Sequence, residues 1–491
     1  MEISINALTE RTEDFLRQWA GARYRHQAGV GKRPLLAKLI EEFPELTRHD
    51  TFLQVRQACE NARIDADRKA SLQRLLRLLA WIHPLGSAAA SLDETAVELE
   101  KTVTSSLRTM PLADALGRIP DDGERERRHA LERDTSDALW ERQTPWARVI
   151  DATIHSSSQL GFHSVRAQYE ALWGVPLQGW LEAAEKLLLT TEDAYRDLLG
   201  YALKRLDPQL KPQAARWHDL QHLGIAPWMR EHFRTEELTP AVRRTLEDLG
   251  LHPNANGRLQ TDTEDREGKA SGAHVAVLQV PDEVRLTLSP RGGLQAYSEA
   301  LSGFGEAQLW ANGPRTGGPL EKRLPDPALV QAIRMLFSHF LSEEGWHKRF
   351  LRLPSPAARE AARIYAFTAL AQLRASAALF PYALEVFSRG PVRPLAEEYE
   401  DRLARALCVG VPRGGFLLCI EGVDPERLRA ATLEVALSDT LRERFNEDFW
   451  RNPSTGKWFE GFAGRVGTEA TRPEPSGLTR ASQRLVRVMG T

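Results

Sequence analysis

Residues Glu283–Ala311 read EVRLTLSPRGGLQAYSEALSGFGEAQLWA, and Pro325–Phe350 read PDPALVQAIRMLFSHFLSEEGWHKRF. In Glu283–Ser289 polar and apolar side chains alternate, and the preceding segment His274–Gln279 (HVAVLQ) does the same. Both are rich in β-branched residues, and Pro281 and Asp282 stand between them. This predicts a β-hairpin-like unit at about 273–290. Arg291, Gly292 and Gly293 end it. A helical pattern takes over through Leu301, and a second helical run, Leu329–Leu341, follows after a loop. A strand that passes at once into a helix is a common place to build a site. The strand edge can hold an extended ligand while the helix supplies side chains.

Outward from this stretch the chain reads as helix. Between Asp50 and Ile82, Phe52, Val55, Leu72, Leu75, Leu76, Leu78 and Leu79 recur at three- and four-residue steps, which marks amphipathic helices. Helical patterns also cover Leu139–Lys204, Ala357–Leu379, Leu395–Leu407 and Asp424–Phe449. The polar, Gly-rich segment Asn254–Gly272 reads as loop. The mixed-sign run Asp121–Asp134 (DDGERERRHALERD) reads as a solvated helix or linker, so a boundary is placed near 135. The expected organisation is an N-terminal helical lobe (1–135), a helical domain with the small β unit (136–470) and a C-terminal tail (471–491).

The bulk composition narrows the function classes. The chain has 491 residues, 27% of them charged, and a net charge of -2. That near-balance argues against a general polyanion-binding surface, so no nucleic-acid partner is expected. The cysteines Cys59, Cys408 and Cys419 are too few and too irregular for a disulfide scaffold or a Cys-rich zinc module. No run of about 18 apolar residues occurs, so no membrane partner is expected. The N-terminus has no apolar signal-peptide core, and a cytoplasmic location is the default.

The chain has no G-x-x-x-x-G-K-[ST] loop, and Ser302 lies in ALSGFG, which is not a nucleophile elbow. His218 and His222 are four apart and share a helix face, as two metal ligands would. They lack the glutamate after the first histidine and a third ligand nearby, so they read as ordinary surface or interface histidines. His339 and His347 are eight apart, a poor spacing for one metal.

In order and spacing, Glu283–Phe350 resembles the oligoendopeptidase F and thimet oligopeptidase family of zinc metallopeptidases, in a bacterial oligoendopeptidase-like branch. In that family a strand runs into a Gly-Gly turn and then a helix carrying H-E-x-x-H. A second helix presents a glutamate as third zinc ligand. Two histidines at that spacing face one metal, and the glutamate beside the first activates metal-bound water. Here Gly292 and Gly293 match the turn, and Tyr297 matches an aromatic leading into the metal helix. Ser302 stands at the first histidine, Gly303 at the general base and Glu306 at the second histidine. Gly305 and Ala307 match small residues of the motif. Asp326, Pro327, Ala328 and Leu329 match the lead-in to the second helix, where Gln331 stands at the third ligand. Trp180–Tyr195 resembles the helix before the cleft. Asp424–Ala436 and Leu441–Phe462 resemble the C-terminal end, with Leu428, Thr432 and Glu434 where the family tends to carry tyrosines and an arginine. The likeness spans roughly 140–465.

The resemblance implies a mainly α fold: a two-lobed zincin-like metallopeptidase scaffold with a small β-sheet near the former active-site helix. A carboxylate, a hydroxyl and an amide do not make a tetrahedral zinc site, so no cofactor is expected and zinc is expected lost. Ser302 and Gly303 also read simply as small residues tolerated in a helix, and Glu306 as a paired or solvated carboxylate. Gln331 reads as a hydrogen-bonding residue of the former site. His274, Tyr297 and Glu306 are candidate ligand-binding residues, with core packing the alternative for His274 and Tyr297. The leading functional reading is a catalytically inactive pseudo-peptidase that binds a peptide or partners an active paralogous peptidase subunit. The alternatives are a hydrolase with a rearranged site, in which Glu306 acts with Ser302, His218, His222 or His274, and a structural helical adaptor.

Overall fold

The alternating stretch folds as strand, turn and helix. In the computed structural model, which describes residues 4–61, 65–105, 108–418, 420, 422–465 and 473–490, the chain forms two compact units. The first comprises 1–8, 35–225 and 371–425; the second comprises 9–34, 226–370 and 426–491. These units do not follow the boundaries expected near 135 and 470.

The first unit is helical, with one short hairpin of β1 (Thr102–Thr104) and β2 (Thr109–Pro111). The charged run belongs to helix α1 (Arg125–Glu141), and residue 135 lies inside it. The sequence predicts a solvated segment here, yet Arg128 and Glu132 are buried. Their charges are met by helix α2 (Trp217–Gly224). Asp219 pairs with Arg125 at 2.9 Å and with Arg128 at 3.4 Å, and Glu132 accepts the His218 backbone N–H at 2.8 Å. Burial pushes the Asp219 carboxyl up, but hydrogen bonds from His218 and Arg125 hold it well below the ordinary carboxylate range. A mixed-sign run can therefore be interior when another helix supplies complementary charge, which local composition does not reveal.

The second unit contains a three-stranded sheet in the order β3 (Leu259–Asp262), β5 (Glu283–Leu288), β4 (Ala273–Gln279). β4 and β5 form the expected antiparallel pair, with His274 opposite Thr287 and Val275 opposite Leu286. β3 is an addition to the expectation: it lies in the segment read as loop and runs parallel to β5. After β5 the chain turns at Gly293, whose φ of 106° favours glycine, and whose N–H donates to the Phe233 carbonyl at 2.8 Å. Helix α3 (Leu294–Ala311) starts there. It is apolar nearly all round, as a helix covered on several sides must be.

The sheet packs on one side of α3 and helix α4 (Pro327–Ser338) on another. Helix α5 (Glu426–Phe445) packs on α4, and helix α6 (Gly477–Gly490) packs on α5. Most of the expected C-terminal tail is thus a helix of this unit, with Leu478, Ala481, Leu485 and Met489 buried at helical spacing. Cys59 is buried and Cys408 half-buried, both free thiols; Cys419 lies outside the described residues. Among the described residues no single helix is long and apolar enough to cross a membrane.

Candidate functional site

Two glycines on α3 show how the helix is seated. A Cβ at Gly303 would lie 2.6 Å from Ala273 Cβ and 3.2 Å from Leu286 Cδ1, so that face lies against the sheet. A Cβ at Gly305 would lie 2.6 Å from Phe337 Cγ, so that face lies against α4. Residues two apart on a helix point to nearly opposite sides. Ser302 sits three before Gly305, and Glu306 four after Ser302, so both turn toward α4.

On α4 they meet Arg334. Ser302 Oγ donates to the Arg334 carbonyl at 3.1 Å. Glu306 Oε2 accepts a hydrogen bond from Arg334 Nη1, and the two form an ion pair. Glu306 Oε1 also accepts from Trp310 Nε1 at 3.4 Å. Gln331 lies one turn before Arg334 and is half-buried. The structure thus brings Ser302, Glu306 and the helix carrying Gln331 together across two packed helices, centred on an arginine that the sequence reading does not single out. Its signal is its isolation: Arg334 is the one charge in LVQAIRMLF, and a charge inside an apolar run usually meets a partner.

Beside this pair lies a second polar cluster. Tyr365, in the helix Ser355–Arg389, donates to Ser338 Oγ at 2.9 Å. Burial pushes its phenol up. His339 Nδ1 is 3.2 Å from Glu434 Oε2, and Arg484 Nη1 is 3.1 Å from Glu434 Oε1. Arg484 and Glu434 form an ion pair, and in neither contact is the N–H well aligned as a hydrogen bond. Burial alone would raise the Glu434 carboxyl, but Arg484, His339 and Arg442 pull it down to about 2. Arg429 pairs with Asp326, the N-cap of α4. Thr432 Oγ1 donates to the Arg429 carbonyl at 2.8 Å, and Leu428 is buried.

The other candidates are placed apart from this group. Tyr297 is fully buried against Phe233, and its hydroxyl donates to the Arg234 carbonyl at 2.7 Å. His274 is half-buried on β4; Nε2 donates to the Ser271 carbonyl at 2.8 Å, and Nδ1 is 3.4 Å from Gln27 Nε2. At the far end of β4, Arg323 donates to the carbonyls of Val277 and Leu278 and so caps that stretch of strand. His218 and His222 belong to the first unit and are buried, not surface residues. His222 Nδ1 donates to the Pro120 carbonyl at 2.6 Å. His347 is buried, its Nε2 donates to the Leu341 carbonyl, and burial lowers it to about 4.

These residues do not suit a zinc ion. Ser302 spends its proton on a carbonyl, Glu306 is paired to a guanidinium, and zinc asks for imidazole, thiolate or free carboxylate. Among the described residues no group of three or more His, Cys, Asp or Glu side chains is gathered to hold a metal.

The close seating at Gly305 gives a first prediction. Gly305→Ala is expected to destabilise the protein by about 1–3 kcal/mol through the clash with Phe337. That exceeds the roughly 0.5–1 kcal/mol an alanine gains over glycine inside a helix. Urea unfolding of the two proteins checks it; an unchanged midpoint would mean that Phe337 moves aside freely.

No protein-family model matches the sequence, and no curated protein is similar to it in sequence. Solved structures are similar over nearly the whole chain. An oligoendopeptidase F structure has a TM-score of 0.63 at 12% identity, covering 99% of this chain and 92% of that one. A protein from Chlamydophila abortus described as a peptidase gives 0.60 at 12% identity, covering 98% and 90%. An oligoendopeptidase F from Bacillus anthracis gives 0.56 at 12% identity, covering 99% and 86%. At this identity the likeness establishes the fold alone: the mainly helical, oligoendopeptidase-like peptidase fold with small sheets that the sequence implies.

Proposed function

We propose that this chain is a catalytically inactive member of the oligoendopeptidase-like group, which keeps the scaffold to hold a peptide or to pair with an active peptidase subunit. One observation carries the reading. The four positions where the resemblance expects metal ligands and a base hold Ser302, Gly303, Glu306 and Gln331, and Glu306 is spent on Arg334. Without a metal-bound water and a carboxylate to take its proton, amide hydrolysis lacks both nucleophile and base. The same fold is that of peptidases, so hydrolysis with a rearranged site is the reading to test against.

The purified chain is expected to show no turnover of a fluorogenic peptide library above buffer and to contain far less than one zinc per chain. Turnover that a chelator abolishes, restored by zinc, would overturn the reading. Binding is read separately, by titrating the unlabelled protein into the same peptides at low salt and following fluorescence anisotropy.

A further inference from the structure

The Glu306–Arg334 pair leaves hydrogen-bonding capacity unspent. A guanidinium offers five N–H donors in a planar fork. Glu306 takes the one at Nη1, and no other partner for the Arg334 guanidinium occurs among the described residues. Nor does the Gln331 amide have a partner among them. The Arg334 side chain is 31% exposed, so its open edge is reachable from solvent while Glu306 and Ser302 fix its base. Gln331 and Arg334 are three apart on α4 and therefore neighbours on one helix face.

A fork of N–H donors beside a neutral amide is the equipment for a carboxylate. Arginine meets carboxylate oxygens two at a time, and the amide N–H can reach one of them. A neutral carbonyl gains much less there, because a charge-assisted bond is roughly twice as strong. We infer that Arg334 and Gln331 form a carboxylate-recognition site on α4 beside α3, and that its ligand is a peptide carboxylate. This rests on the reading of the chain as a peptide-binding protein and names the ligand group that reading leaves open. The carboxylate is either a chain terminus or an Asp or Glu side chain.

Three probes separate the possibilities: N-acetylated pentaalanine with a free C-terminal carboxylate, the same peptide as its C-terminal amide, and an amidated version with one central glutamate. Binding to the full chain is followed by NMR line broadening of the peptide at low salt. The free acid, the glutamate peptide or both are expected to bind about tenfold more tightly than the neutral amide. Arg334→Gln is expected to erase that ratio, and Arg334→Lys to keep part of it, having charge without the fork. Should loss of Arg334 unfold the protein by stranding Glu306, Gln331→Met carries the test, with an expected fall in the ratio of about threefold. Equal binding of acid and amide would overturn this inference and leave peptide binding standing. Binding of none of the three would count against both.

Discussion

Glu434→Gln is expected to destabilise the second unit by about 3–5 kcal/mol, because it strips the carboxylate from a buried cluster and leaves Arg484 without its counter-charge. Glu434 is 1% exposed, against 17% for Arg484 and 7% for His339. The carboxyl is held to about 2 where an ordinary glutamate titrates at 4.5. That difference corresponds to about 3 kcal/mol of stability, in line with the expected mutational loss. The sign follows from the direction. The folded-state value is depressed, so the stabilisation is complete above pH 4.5 and drains away as pH falls from 4.5 towards 2. Urea midpoints of wild type and Glu434→Gln should therefore differ most at pH 6–7 and converge only near pH 2. A difference that stays constant down to pH 3 would show that packing, not charge, makes Glu434 matter.

How much of this was legible in the sequence depends on whether the decisive contact is local. The β4–β5 pair and the step into α3 were legible, because the apolar period changes from two to helical and a Gly-Gly turn stands between them. β3 was not: Leu259–Asp262 (LQTD) is half polar, and its pairing with Val284–Thr287 depends on residues more than twenty positions away. The charged segment 121–134 read as solvated because the charges that bury it come from Arg216–Asp219. At the site, the register of Ser302, Gly303 and Glu306 placed all three on α3, with Ser302 and Glu306 facing the helix that carries Gln331. Arg334 is not legible as part of the site, because a guanidinium is not a metal donor. In the sequence Glu434 stands out only where the family pattern carries another residue type. Its role is decided by Arg484 on α6, a helix that composition alone reads as a tail.

Gly303→Glu is expected to cost more than any other single change, upwards of about 5 kcal/mol, which would consume much or all of a typical domain's stability. It places a carboxylate at the position where the metallopeptidase pattern carries its general base. Two penalties combine. The new Cβ would press on Ala273 Cβ at 2.6 Å and on Leu286 Cδ1 at 3.2 Å, and overpacking of this kind costs about 1–3 kcal/mol. The rest of the side chain would then carry a charge into an apolar contact with β4 and β5, where an unpaired carboxylate costs several kcal/mol more. Gly303→Ala isolates the first penalty, and Ala273→Gly in the Gly303→Ala background should return most of it by removing the opposing methyl group. The sheet thus occupies the space that a side chain at 303 would need. A glutamate at this position would have to displace β4 before it could face a water. Thermal unfolding of Gly303→Glu decides the matter: a protein that melts with wild type would mean that α3 and β4 part easily.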